Sequence, residues 1–268
     1  MTDTQTLDEA AVHAYLSKNL PGFEGPMEVS KFQGGQSNPT FMLKTPTHSY
    51  VLRRKPPGVL LKSAHAVDRE FRVQKALEGT DVPVSKMHLL CEDDSVIGSM
   101  FYIMDHVKGR NFNEPAMPDL SIGDRAAVIA EMNRVLAALH TVDIEAVGLS
   151  DYGPEGNYFE RQVGRWSKQY RASETEKIPA MDQLMDALVG ERPEDDGQRT
   201  LVHGDYRIDN MIFDATGTQC RAVLDWELST IGHPFADLAA VIMQWQLPAG
   251  RGSVPSDRHH QRARQWPA

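Results

Sequence analysis

Apolar and polar positions alternate in the first part of the chain and recur at helical spacing in the second, with the change near residue 105. Residues 7–20 predict a first helix at the surface, with Thr6 and Glu9 as a capping box and Pro21-Gly22 as a stop. The period then shortens to two: residues 28–32, 40–44 and 49–53 read as three strands of a meander, with Gly34-Gly35 at the first turn. A helix over 65–77 carries Asp68-Arg69-Glu70, and 86–90 and 99–104 read as two more strands. Five strands and one helix make a small α+β unit.

Beyond residue 110 the pattern is mainly helical. Residues 121–142 place Val128, Met132, Val135, Leu136 and Leu139 on one face, behind a cap formed by Ser121 and Asp124. Further helices are expected over 158–170 and 177–189, then a solvated loop over 191–197. Three short apolar runs follow, at 200–202, 211–213 and 222–224. The predicted division is an N-terminal helix at 1–26, a β-rich N-lobe at 27–104, a hinge at 105–110, and a helical C-lobe at 111–248.

Composition narrows the classes. Hydrophobic content of 41% with 24% charged residues is that of an ordinary globular chain, and the net charge of −9 gives no general attraction to nucleic acid or anionic membranes. Cys91 and Cys220 stand far apart and outside any C-x-x-C pair, which predicts inert thiols and no disulfide or structural zinc framework. The N-terminus lacks the regions of a signal peptide, and the apolar run at 236–245 is too short to span a bilayer, so a cytoplasmic location is expected. Oligomeric state is not legible.

The chemistry concentrates at His203-Gly204-Asp205-Tyr206-Arg207-Ile208-Asp209-Asn210. The spacing H-x-D-x-x-x-x-N is that of the kinase catalytic loop, where the Asp receives a substrate hydroxyl proton and the Asn reaches a magnesium ion. Asp205 and Asn210 fit these roles. Asp225, ending the apolar run 222–224, supplies a second metal carboxylate from a neighbouring strand. Singly these are ordinary turn residues; together, with apolar runs on both sides, they predict phosphoryl transfer.

A kinase also needs a loop over the phosphates and a cation. Gly34, Gly35, Gln36, Ser37 and Asn38 suit the loop, although a plain hairpin is the commoner explanation of Gly-Gly. Arg53, Arg54 and Lys55 compete for the cation; alternation puts Arg53 and Arg54 on opposite faces without saying which faces inward. Arg53 is preferred, with Glu70 as its partner. Asp105 and Val107 in the hinge offer backbone groups to an adenine edge. Asp237 reads as a structural residue that steadies the catalytic loop.

These motifs, with Tyr50-Val51-Leu52-Arg53-Arg54-Lys55-Pro56, Arg69-Glu70-Phe71 and Leu224-Asp225-Trp226-Glu227, resemble the aminoglycoside phosphotransferase/choline kinase-like family. Within it, the chain looks most like the kinase-like domains related to those fused to acyl-CoA dehydrogenases. The resemblance implies a two-lobed, protein-kinase-like α+β fold, ATP and Mg²⁺, and transfer of the γ-phosphoryl group to a small-molecule alcohol. For the dehydrogenase-linked branch it points to a hydroxyacyl-CoA. Gly204, where protein kinases carry Arg, argues against protein substrates. Arg53, where many relatives have Lys, is a departure.

Residues 249–268 hold four arginines, one aspartate and almost no apolar periodicity, an abrupt change that predicts a disordered or frameshifted tail and an incomplete C-lobe. Two rival functions stay open at this point. One is a catalytically impaired nucleotide-binding pseudokinase. The other is a metal-dependent phosphohydrolase using His203, Asp205, Asp209, Asp225 and His233 as ligands.

Overall fold

Alternating apolar residues within the first 105 positions build one antiparallel sheet with a helix on each side. The computed structural model describes residues 7–32, 38–56 and 66–246, with side chains as far as Met243. Gly34, Gly35, Gln36, Ser37, Thr6 and the 249–268 tail lie outside the described residues.

The sheet comprises β1 (Glu28–Lys31), β2 (Thr40–Lys44), β3 (Ser49–Arg54), β4 (Met87–Cys91) and β5 (Phe101–Asp105), in the order β1-β2-β3-β5-β4. Phe41, Leu43, Tyr50 and Leu52 turn to one face, where Val12, Leu16 and Leu20 of the first helical segment cover them. That helix, α1 (Glu9–Asn19), is capped by Asp8, whose side chain accepts from the Ala11 N–H. The cap therefore lies two residues beyond the expected Thr6. Although α1 is at the surface as expected, Val12 and Leu16 are fully buried, each worth about 1.5–3 kcal/mol of apolar transfer.

The opposite face of the sheet carries Val51, Met87, Tyr102 and Met104, packed with Val67 of α2 (Val67–Leu77). Strand alternation therefore sends Arg53, two residues from Val51, toward α2, while Arg54 turns to the α1 face, its guanidinium 5.7 Å from the centre of the Phe41 ring.

The helical part begins with α3 (Ile122–His140), capped by Ser121, which accepts from the Asp124 N–H. Its buried residues are the five marked by the periodicity, Val128, Met132, Val135, Leu136 and Leu139. The helices α4 (Tyr158–Ser173) and α5 (Pro179–Gly190) pack against each other and bury no residue fully. Two small antiparallel pairs lie beside α3. β6 (Thr200–Val202) pairs with β9 (Thr230–Gly232), and β7 (Met211–Phe213) with β8 (Cys220–Val223). The helix α6 (Phe235–Gln246) follows. Three-residue β9 carries no alternation of its own and exists because β6 supplies its partner. Among the described residues, no helix is long and apolar enough to cross a membrane.

Candidate active site

The catalytic-loop residues are held by hydrogen bonds that begin at a buried carboxylate. Asp237, in the first turn of α6, has no exposed surface. Its Oδ2 accepts the His203 N–H and its Oδ1 the Gly204 N–H, both at 2.8 Å, and His140 Nε2 lies 3.0 Å from Oδ2. The next link is the His203 ring, whose Nδ1 accepts the Asp205 N–H at 3.2 Å while Nε2 donates to the Leu224 carbonyl at 2.9 Å. Burial lowers the pKa of this imidazole, in keeping with a neutral ring that has one accepting and one donating nitrogen.

Gly204 has φ +85°, and a Cβ there would lie 2.7 Å from the Leu228 carbonyl oxygen. Only glycine meets both conditions without strain, so its presence has a backbone reason in addition to any bearing on substrate type.

Asn210 ends a short 3-10 turn, Ile208–Asn210, and its Nδ2 donates to the Asp205 carbonyl at 2.9 Å and to Asp205 Oδ2 at 3.0 Å. The Leu224 N–H donates to the Asn210 carbonyl at 2.8 Å, which extends the β7/β8 ladder and sets Asp225 beside the catalytic loop. Asp225 itself is left-handed, at φ 64° and ψ 61°. For a non-glycine residue that conformation costs about 1–3 kcal/mol, and the ladder on one side and buried Trp226 on the other hold it.

Arg53 joins this loop to the sheet. Its Nη2 donates to Asp225 Oδ1 at 2.7 Å, and its Nε lies 2.9 Å from Glu70 Oε2 in an ion pair without an aligned hydrogen bond. Glu227 Oε2 lies 3.7 Å from the same Nη2. The competitors are elsewhere: Arg54 is on the other face, and Lys55 lies 3.7 Å from Asp68. Glu70 is 1% exposed, and besides Arg53 it has the Asn38 Nδ2 at 2.8 Å and the Tyr102 hydroxyl at 3.0 Å. Asn38, expected to face the phosphates, is thus buried against Glu70, because a buried carboxylate needs donors for its remaining lone pairs.

Burial pushes the Glu70 carboxyl up to about 7, against the pull of Arg53 and with help from Asp225. One guanidinium among three carboxylates does not neutralise them. Because the folded value lies above the ordinary 4.5, this group's contribution to stability is full below about pH 4.5 and is lost as pH rises through about 7. Wild-type stability should therefore fall relative to Glu70→Gln between pH 5 and pH 8 in urea titrations; a constant difference would contradict the assignment.

The hinge residues divide. Val107 is half-buried, while the Asp105 N–H donates to the Lys86 carbonyl at 2.9 Å and its carboxylate meets two histidines. Phe32 stacks on His106 with ring centres 6.3 Å apart, a neighbour of the hinge that the strand pattern did not reveal. A shallow 640 Å³ recess along α4, lined by Glu160, Arg161, Arg165 and Lys168, holds none of the site residues.

The five residues of the phosphohydrolase alternative do not form a metal cage. Both His203 nitrogens are engaged within the loop, Asp209 pairs with Arg207, and His233 Nε2 lies 3.2 Å from Asp196. His203, Asp209 and His233 are therefore committed to protein partners rather than turned toward Asp205 and Asp225.

The sequence model of the phosphotransferase enzyme family matches residues 28–266. The chain belongs to that family. This phosphotransferase is 46% identical to acyl-CoA dehydrogenase family member 11 of Mus musculus over 245 residues, 90% of the chain and 32% of that protein. It thus spans about a third of that relative's length. A Ralstonia eutropha crystal structure named as an aminoglycoside phosphotransferase superposes with TM-score 0.83 at 48% identity, covering 98% of this chain and 82% of that one. A thermostable mutant of aminoglycoside phosphotransferase APH(4)-Ia, in ternary complex with ADP and hygromycin B, shares the fold at 18% identity and TM-score 0.64, over 95% of this chain and 81% of that one. The fold is protein-kinase-like, α+β, with a β-rich N-lobe.

Proposed function

We propose that this phosphotransferase moves the γ-phosphoryl group of ATP to a hydroxyl of a small molecule, with Mg²⁺ and with a hydroxyacyl-CoA as the favoured acceptor class. The observation that carries the reading is the Asn210–Asp205 hydrogen bond beside Asp225, with Arg53 tying Asp225 to Glu70. The acceptor class rests on the 46% identity to a 32% share of acyl-CoA dehydrogenase family member 11.

Asp205 orients the acceptor hydroxyl and takes its proton as the oxygen bonds to phosphorus and the bond to the leaving ADP breaks. Asn210 gives its amide nitrogen to Asp205, which leaves its carbonyl oxygen for a cation. With Asp225 that makes an all-oxygen donor set, the kind that suits magnesium. When bound, the ion would neutralise charge that develops on the phosphates. Arg53, fixed by Glu70, presents a guanidinium to the phosphates. The Asp105 N–H is already used, so its contribution to an adenine edge is its carbonyl, next to the Val107 N–H.

The test is an ATP–Mg²⁺ reaction with hydroxyacyl-CoAs, hydroxy acids, choline-like alcohols and sugars, read by ³¹P NMR and mass spectrometry. A phosphorylated alcohol with stoichiometric ADP is expected. ATP-dependent thermal stabilisation with no ADP from any acceptor would favour a nucleotide-binding pseudokinase instead.

A further inference from the structure

Two imidazoles converge on one carboxylate at the end of β5. His48 Nε2 lies 2.7 Å from Asp105 Oδ1, and His88 Nε2 lies 2.5 Å from the same oxygen. One ligand atom from each residue falls within 4.8 Å of the other two, the one such group of three found among the described residues.

Each member is aimed by a separate device. His48 closes the β2–β3 turn, where its N–H donates to Thr45 Oγ1 at 3.0 Å and its carbonyl accepts the Thr45 N–H at 2.8 Å. His88 occupies the register shift between Met87 and Leu89, a bulge, and bulges re-aim side chains. Asp105 stands opposite Tyr50 across β3 and β5. The buried Tyr50 ring backs both imidazoles, 4.2 Å from His48 and 5.3 Å from His88, which limits their rotamers. Much of the ordering that a ligand would otherwise impose is already present in the fold.

The group is not needed to satisfy a buried charge. The side chains of His48, His88 and Asp105 are 43%, 15% and 29% exposed, so water reaches them. Two nitrogens and one carboxylate oxygen, with an open side, are the donor set of a three-ligand zinc site with water in the fourth position. Magnesium and calcium prefer oxygen alone, which separates this group from Asp205, Asn210 and Asp225. Tetrahedral bonds of about 2.0–2.1 Å put ligand atoms about 3.3 Å apart. The present contacts must therefore open by about 0.7 Å, a small rotation for side chains with solvent on one side.

We propose that His48, His88 and Asp105 bind one zinc-class divalent ion, pinning the β2–β3 turn to β4 and to the start of the hinge. The site shares no residue with Asp205, Asn210 and Asp225. Tag-free, chelator-stripped full-length protein is titrated with Zn²⁺ against a chromogenic chelator, and with Co²⁺ by visible absorption. One equivalent is expected, with the absorption of a low-symmetry four-coordinate cobalt site without thiolate charge transfer. His48→Gln and His88→Gln should each weaken zinc by about tenfold or more, whereas Asp225→Asn should not. Melting in chelator shows whether each variant is folded, and exposed His48 in its turn is the substitution least able to disturb the sheet. No zinc uptake by the wild-type protein, unchanged affinity in a folded His48→Gln protein, or loss in Asp225→Asn instead overturns the proposal.

Discussion

Asp205→Asn is expected to lower phosphoryl transfer by about 10²–10⁴-fold, the range associated with a positioned acid–base group. The substitution retains an oxygen that can accept from Asn210 Nδ2, now 3.0 Å from the carboxylate, so the loop should keep its shape. What it loses is the capacity to take the hydroxyl proton. Melting temperature and nucleotide affinity should therefore move little while kcat collapses, measured with the acceptor that the screen returns. A variant with the wild-type rate would remove Asp205 from the mechanism, whatever its spacing to Asn210.

The second large effect concerns stability. Asp237→Ala should cost about 3–5 kcal/mol, because it leaves the His203 and Gly204 N–H groups and the His140 ring without the buried carboxylate that they share. Urea titration measures the loss directly. Since those two amides lie within two residues of Asp205, activity should also fall under conditions where the variant is still folded. A loss below about 1 kcal/mol would mean that water or a rearranged side chain replaces the carboxylate.

Legibility followed the range of the interactions. The buried stripe of α3 emerged residue for residue because helical periodicity repeats within a few positions and one face meets the core. The Asp205–Asn210 contact spans five positions and is readable as spacing. The cap of α1 moved to Asp8 because several polar residues precede that helix and only the built turn selects the one whose oxygen reaches an amide. Strand β9 escaped notice because its partner lies about 30 residues earlier. Asp237 stood out only as a residue to steady the loop, and nothing in the pattern pointed to His140, 97 positions away.

The choice among Arg53, Arg54 and Lys55 shows the boundary most clearly. Alternation alone separates Arg53 from Arg54 by face but assigns neither face an occupant. Packing α2 against Val51 and Met104 makes Arg53 the residue that meets Glu70 and Asp225, and packing α1 on the other side turns Arg54 toward Phe41. Residue order along the chain determined most of the elements, the kinase-type spacing and the family resemblance, since each depends on neighbours a few bonds apart. The tertiary structure decided which arginine enters the site, that Glu70 is buried, that Asp237 anchors the loop through two backbone amides, and that His48, His88 and Asp105 meet. Each depends on side chains from separate elements reaching one point, and only the packed sheet and helices bring them there.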